Sequence, residues 1–132
     1  MKKAFYPGSF DPITFGHMDI IEQTLKVFDK VTVAVLKNSK KTSGMFTMVE
    51  RCNLIRELYE DNPNVEVIFC EENIAAVNLA KQNNCVALIR GLRNITDFAD
   101  EKQLSDVNYT ISHGEMITLS FFVKPNKLDI SS

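Results

Sequence analysis

The sequence predicts an α/β fold, in which a doubly wound sheet of five parallel strands has helices on both faces. Five short apolar runs alternate along the chain with segments of helical periodicity. These runs are nearly continuous in Val, Ile, Ala and Leu, which is typical of strands buried on both faces. The 132 residues are expected to form a single domain, 1–132, that buries roughly two-thirds of its unfolded surface.

The candidate strands follow the apolar runs and lie at residues 3–6, 31–36, 64–69, 86–89 and 116–123. The first predicted helix follows the first strand, and its apolar stripe consists of Met18, Ile21, Leu25 and Phe28. Because helical segments separate the strands, right-handed crossovers and parallel pairing are expected.

Three further helices are predicted. One begins at Thr47, because Thr47 and Glu50 have the spacing of a capping box. The sequence Asp-Asn-Pro at 61–63 ends it. The others are expected at about 74–82 and 96–111.

The composition argues against several classes of function. The formal net charge of −2 gives no general positive field, so no nucleic-acid partner is expected. The three cysteines lack a Cys-x-x-Cys spacing and are expected to be buried thiols rather than metal ligands or bridges. The absence of a long apolar span or signal peptide predicts a cytoplasmic protein with no membrane partner.

The most informative segment joins the first predicted strand to the first predicted helix; residues 7–14 are called the first loop. Gly8 lets the backbone approach a bulky anion, and Ser9 adds a hydroxyl. Gly16 and His17 put an imidazole in the first helical turn, where free N–H groups and the helix dipole attract phosphate. The alternative interpretation is an ordinary strand, turn and helix with an exposed histidine.

Four polar segments each follow a predicted strand: the first loop, Lys40-Lys41, residues 90–93 and residues 127–132. In an open α/β sheet the carboxyl ends of the strands share one edge, where ligands bind. The sequence therefore predicts one site that combines cations with backbone donors. Neither a Gly-x-Gly-x-x-Gly motif nor a P-loop motif is present. A site of this kind suits nucleotidyl transfer, because an ionised phosphate nucleophile needs no general base.

The string Gly-Ser-Phe-Asp-Pro-Ile-Thr-x-Gly-His at 8–17, followed by Arg-Gly-Leu-Arg at 90–93, resembles the phosphopantetheine adenylyltransferases. These belong to the nucleotidyltransferase superfamily, which is named for its His-x-Gly-His-type loop. The resemblance implies a Rossmann-like fold and transfer of AMP from ATP to 4′-phosphopantetheine. It also implies Mg²⁺ carried by the ATP phosphates, coenzyme A as a feedback ligand in the same cleft, and a homo-hexamer.

The resemblance also implies roles for individual residues. The expected catalytic residues are His17, Lys41 and Arg93. The expected acceptor-binding residues are Ser9, Lys40, Lys41, Ala76 and Arg90. The expected ATP-binding residues are Ser9, Phe10, His17, Gly91, Leu92, Arg93, Glu101, Ser131 and Ser132. No side chain is expected to bind a metal, because the sequence has no acidic cluster for a protein-only Mg²⁺ site.

Two alternatives remain open. A sister enzyme with another acceptor, such as nicotinate mononucleotide or glycerol 3-phosphate, would be expected to have a different first loop. A non-catalytic module that binds nucleotide or coenzyme A would bind ATP without releasing pyrophosphate. The family usually continues beyond Ile-Ser-Ser at 130–132 into one or two further helices, which are expected to be absent from this chain.

Overall fold

The computed structural model describes residues 1–37, 46–92 and 116–124. The strands are β1 (Lys3–Gly8), β2 (Lys30–Leu36), β3 (Val65–Cys70), β4 (Ala87–Leu92) and β5 (Ile117–Phe122). The helices are α1 (Phe15–Leu25), α2 (Met48–Leu58) and α3 (Ala76–Gln82). The helix predicted at 96–111 lies outside the described residues.

The strands form a five-stranded sheet in the order β3-β2-β1-β4-β5, and every neighbouring pair is parallel. Helices α1 and α2 pack on one face of this sheet with Tyr6 of β1, whereas α3 packs on the other face with Phe5. The predicted doubly wound, Rossmann-like fold is therefore confirmed. Strands β2 and β3 are added on one side of β1 and strands β4 and β5 on the other, and this change of side opens a crevice at the carboxyl ends of β1 and β4.

The capping box predicted for α2 is confirmed. The Thr47 hydroxyl accepts the N–H of Glu50 (3.1 Å), and the Glu50 carboxylate accepts the N–H of Thr47 (3.0 Å). These bonds satisfy two backbone donors that the first helical turn leaves without partners, and so they fix where α2 begins.

The apolar stripe predicted for α1 is only partly right. Ile21 is buried, but Met18 is half-buried, and Phe28 is buried beyond the end of the helix. The buried face instead includes the polar residues Asp19 and Thr24. Each has a partner: the Thr24 hydroxyl, for example, donates to the carbonyl of Ile20 (2.8 Å). A buried polar group with a hydrogen-bond partner is tolerated, and hydrophobic periodicity does not detect it.

Two of the three cysteines, Cys52 and Cys85, are buried free thiols as predicted, and Cys70 is a half-buried free thiol. Burial raises the pKa of both buried thiols, which keeps them protonated near neutral pH. None of the helices in the described ranges is long and apolar enough to cross a membrane.

Asp19 joins α1 to the chain that leaves β5. Its fully buried carboxylate accepts the N–H of Lys124 (3.1 Å) and the side-chain amide of Gln23 (2.9 Å), and the Lys124 ammonium lies 3.5 Å away. Burial by itself would raise the pKa of Asp19, but these hydrogen bonds and the ammonium together hold it below its usual value. The ionised carboxylate therefore stabilises the folded state.

Replacing Asp19 by Asn is expected to lower the free energy of unfolding by about 2 kcal/mol at pH 7, because the bonds to the ionised carboxylate are weakened. Since the folded pKa lies below the unfolded pKa, this stabilisation is complete above the unfolded pKa and disappears as the pH falls through the folded pKa. The difference between the two proteins should shrink between about pH 5 and pH 2, as urea unfolding would measure.

Asp29→Asn is the matched control, because Asp29 accepts the N–H of Lys2 (2.8 Å) at an exposed site. This change should cost less than about 0.5 kcal/mol. A constant difference between wild type and Asp19→Asn across the acid range would contradict the assigned charge of Asp19.

Candidate active site

A cavity of about 310 Å³ lies beside the carboxyl ends of β1 and β4. Its lining residues are Tyr6, Pro7, Gly8, Phe10, Thr14, Gly16, His17, Ile20, Arg90, Gly91 and Val123. They come from β1, the first loop, α1, β4 and the residue that follows β5. The first loop and the Arg90 segment therefore meet at one edge of the sheet, as the sequence predicts.

His17 is held at the start of α1 by an unusual capping box. Thr14 is the N-cap, and its hydroxyl accepts the N–H of His17 (3.3 Å). In return, Nδ1 of His17 accepts the N–H of Thr14 (2.9 Å), with the Thr14 hydroxyl 3.0 Å away. The imidazole thus takes the place that Glu or Gln occupies in an ordinary capping box.

This cap determines which ring nitrogen of His17 carries the proton. A backbone N–H can only donate, so Nδ1 must offer its lone pair to Thr14. In the neutral ring the proton is then on Nε2, at the other end of the imidazole. Because His17 lines the cavity, the ring can act there as a hydrogen-bond donor.

Phe10 gives the first loop its shape. Its backbone has a φ of 46°, a left-handed conformation that costs a residue other than glycine roughly 1–2 kcal/mol. Its ring is buried, with its centroid 4.8 Å from that of His17 and 5.3 Å from that of Tyr6. A Cβ atom on Gly8 would lie 3.0 Å from the Phe10 ring. Gly8 therefore leaves room for the Phe10 ring, which a side chain at position 8 would displace, in addition to its predicted role in letting an anion approach.

Tyr6 and Arg90 form the polar part of the wall on the strand side. Burial raises the pKa of Tyr6 far above its ordinary value, and the positive charge of Arg90 offsets only part of this rise. Tyr6 consequently keeps its proton at neutral pH, so its hydroxyl can take part in hydrogen bonds but cannot serve as a base.

Gly91 allows α1 to pack closely against β4. A Cβ atom on Gly91 would lie 3.1 Å from Cγ1 of Ile20 and 3.6 Å from the hydroxyl of Tyr6. Ile20 lies one turn beyond His17 on α1, and Gly91 directly follows Arg90 on β4. This contact therefore helps to set the distance between the two elements that carry His17 and Arg90.

Comparison with known proteins agrees with this geometry. A family model described as cytidylyltransferase-like matches residues 5–132. The phosphopantetheine adenylyltransferase of Lactobacillus gasseri is 37% identical over 132 residues, which cover 100% of this chain and 78% of that relative. The chain belongs to the phosphopantetheine adenylyltransferase family. The resemblance predicted from the first loop and the Arg-Gly-Leu-Arg segment is thus confirmed.

Other members of the phosphopantetheine adenylyltransferase family are also similar. That of Caldanaerobacter subterraneus subsp. tengcongensis is 46% identical over 108 residues, or 82% of this chain, and the match spans 66% of the relative's length. Among solved structures, the lipopolysaccharide core biosynthesis protein from Thermoplasma volcanium has a TM-score of 0.68 at 17% identity, covering 94% of this chain and 97% of that one. This structural similarity concerns the fold alone.

The structure brings some of the residues expected from the family resemblance together and leaves others apart. His17, Phe10, Arg90 and Gly91 line the same cavity. Ser9 and Leu92 are next to lining residues without lining the cavity themselves. Their roles, like those of all the expected site residues, stay predictions.

Ala76 does not line the cavity. It is the first residue of α3 and packs against the core cluster around Phe5, on the face of the sheet opposite α1. Its contact with the acceptor therefore stays a prediction that the cavity does not support. The remaining expected residues lie outside the described ranges: Lys40, Lys41, Arg93, Glu101, Ser131 and Ser132.

Sequence reasoning underestimated three residues of this site. Thr14 caps α1 and orients His17, and the Thr-x-x-His spacing, analogous to that of a capping box, would have indicated this. Oδ1 of Asp11 in the first loop accepts the N–H of Phe46 just before α2 (2.9 Å). Arg51 on α2 donates from its guanidinium to the carbonyl of Ser9 in the first loop (2.7 Å).

Residues 1–37, 46–92 and 116–124 contain no cluster of side chains that could hold a metal ion. Within these ranges no three His, Cys, Asp or Glu side chains lie close enough together to hold a metal ion. The polar groups that line the cavity are instead hydrogen-bond donors and a guanidinium, a set suited to phosphate oxygens.

Proposed function

We propose that this chain transfers the AMP part of ATP to the phosphate of 4′-phosphopantetheine, forming dephospho-coenzyme A and releasing pyrophosphate. Family membership supports this reaction, since the relatives described above are named phosphopantetheine adenylyltransferase. The structural observation that carries the proposal is the hydrogen bond from the Thr14 N–H to Nδ1 of His17, which directs the ring proton to Nε2, in a cavity that Arg90 also lines.

The reaction joins two anions, and its chemistry suits this cavity. An oxygen of the acceptor phosphate forms a bond to the α-phosphorus, and the bond from that phosphorus to the oxygen bridging to the β-phosphate breaks. The acceptor oxygen is already ionised, so no base is required. The main obstacle is negative charge, which increases around the α-phosphorus in the transition state.

His17 would stabilise that charge by donating from Nε2 to an oxygen of the α-phosphate. The bond from Thr14 to Nδ1 fixes the ring and its tautomer before substrate arrives, so little reorganisation is needed during the reaction. The N-terminus of α1 adds backbone N–H groups and a favourable dipole. Tyr6 would remain a neutral hydrogen-bonding group on the cavity wall.

Arg90 would hold the phosphate of the acceptor, for which a planar guanidinium is well shaped. Lys41 would bridge the acceptor phosphate and the α-phosphate, and Arg93, Glu101, Ser131 and Ser132 would contact ATP; these roles rest on the family resemblance. Mg²⁺ bound to the ATP phosphates would neutralise part of their charge, and Mg²⁺ commonly binds proteins through substrate phosphates in this way.

Coenzyme A as a feedback ligand, assembly into a homo-hexamer and a cytoplasmic location are part of the same proposal. All three rest on the family resemblance. Analytical ultracentrifugation would test the hexamer, and competition between coenzyme A and 4′-phosphopantetheine would test the shared cleft.

The deciding measurement is pyrophosphate release with ATP and Mg²⁺, in the presence and absence of 4′-phosphopantetheine. We expect release only when the acceptor is present. Parallel reactions with nicotinate mononucleotide and glycerol 3-phosphate test for a sister enzyme. Binding of ATP without pyrophosphate release from any acceptor would instead indicate a non-catalytic module.

A further inference from the structure

We propose that Arg51, on α2, is a positioning residue for adenylyl transfer, which sets the shape of the first loop and through it the surroundings of His17. The inference rests on the proposed function. It assigns a role in the reaction to a helix that contributes none of the lining residues found in the described part of the chain.

The guanidinium of Arg51 joins two backbone carbonyls from distant parts of the sequence. Nη1 donates to the carbonyl of Ser9 (2.7 Å), which is 42 residues away. Nε donates to the carbonyl of Thr47, the N-cap of α2 (3.3 Å). A planar group with several fixed donors can make both bonds at once, whereas a single ammonium on a flexible stem is less suited to them.

The Ser9 carbonyl is a sensitive place to hold the loop. It belongs to the peptide unit that leads into Phe10, the residue with a φ of 46°. This strained conformation persists only when surrounding contacts enforce it. The ring of Phe10 in turn packs edge-on against His17, with centroids 4.8 Å apart. Arg51 therefore acts on the imidazole through one backbone carbonyl and one aromatic ring.

A second bond joins the same two regions. Oδ1 of Asp11 accepts the N–H of Phe46, which lies two residues before the start of α2 (2.9 Å). The first loop is thus attached to the beginning of α2 at two points, on either side of Phe10. Because α2 packs on β2 and β3, these attachments fix the loop relative to the sheet.

The same helix provides a matched control. The guanidinium of Arg56 also donates a hydrogen bond to a backbone carbonyl, that of Val67 on β3 (3.1 Å), away from the first loop. Arg51→Met and Arg56→Met each remove one charge and one bond from α2 to a distant backbone carbonyl, and Arg51→Met also removes the bond to Thr47 at the start of its own helix. Arg51→Met removes a donor to the first loop, whereas Arg56→Met removes a donor to β3.

We expect Arg51→Met to lower kcat at least roughly tenfold, because small displacements of reacting groups have large effects on rate. The KM for ATP and for 4′-phosphopantetheine should each change less than about threefold, as expected when the loss is confined to the transition state. Arg56→Met should keep the wild-type kcat. Steady-state pyrophosphate release measures both variants.

A second readout does not depend on activity. The chain contains two histidines, so NMR signals of the His17 ring can be assigned with the help of a His113→Gln variant. Because the Phe10 ring lies against His17, a displaced loop should shift these signals in Arg51→Met and leave them unchanged in Arg56→Met.

Equal kcat values and equal His17 signals in the two variants would overturn the proposal, as would a loss of kcat in Arg51→Met without any change at His17. If wild type releases no pyrophosphate, the proposed function fails, and the NMR comparison alone decides whether Arg51 sets the surroundings of His17. If Arg51→Met does not fold, Arg51→Lys replaces it. Wild-type kcat and unshifted His17 signals in Arg51→Lys would then overturn the proposal.

Discussion

Replacing His17 by Ala is expected to lower kcat by roughly 10³-fold, the upper range for removing one hydrogen-bond donor from a developing oxyanion. ATP affinity should change less than about threefold, because the proposed bond from Nε2 would be strongest in the transition state. Steady-state pyrophosphate release and equilibrium ATP binding measure the two quantities separately. If both fell together, or if neither fell, the role assigned to His17 would be wrong.

His17 also caps α1, so a control must separate the cap from the catalysis. His17→Gln is suitable, because Gln at this position of a capping box can accept the N–H of Thr14. It should preserve the free energy of unfolding, whereas His17→Ala should cost about 1 kcal/mol. The kcat of His17→Gln should still fall well below wild type. A wild-type kcat in this variant would show that His17 serves only as a cap.

Replacing Arg90 by Met is expected to raise the KM for 4′-phosphopantetheine roughly 10- to 100-fold, the effect of losing a hydrogen bond to a charged group. Arg90 lines the cavity at the carboxyl end of β4, close enough to Tyr6 to influence its pKa. The KM for ATP should change much less. Initial rates measured while each substrate is varied in turn distinguish the two effects.

Two further variants complete the test of Arg90. Arg90→Lys keeps the charge without the bidentate geometry, so its KM for the acceptor should lie between those of wild type and Arg90→Met. Arg56→Met removes a guanidinium on α2, outside the cavity, and should leave both KM values unchanged. A rise confined to the KM for ATP would indicate that Arg90 binds ATP and not 4′-phosphopantetheine.

The fold was predictable because its signals are local. Each strand of the sheet coincides with an apolar run, and the start of α2 is encoded by Thr47 and Glu50 within four residues. The common edge of the site follows from parallel topology, which explains why His17 and Arg90 could be expected to meet. The motifs at 8–17 and 90–93 indicate the family, and with it the proposed reaction.

The details of the site were less predictable because they depend on contacts between distant residues. The bond from Arg51 to Ser9 spans 42 residues, and that from Phe46 to Asp11 spans 35. Periodicity does not indicate that Asp19 is buried, because one of its hydrogen-bond partners, Lys124, is more than a hundred positions away. The left-handed φ of Phe10 was also unexpected, since aromatic residues rarely adopt it and only the packing of the loop explains it.

The absence of a side chain at Gly91 limits which substitutions this protein can accept. The helix that carries the imidazole packs closely against the main chain at position 91, so a side chain there would have to displace Ile20 slightly. A larger residue at position 91 is expected to need a smaller one at position 20, because α1, which carries His17, would otherwise be pushed away from Arg90 on β4. Paired changes at these two positions of the cavity wall would therefore alter the distance between His17 and Arg90.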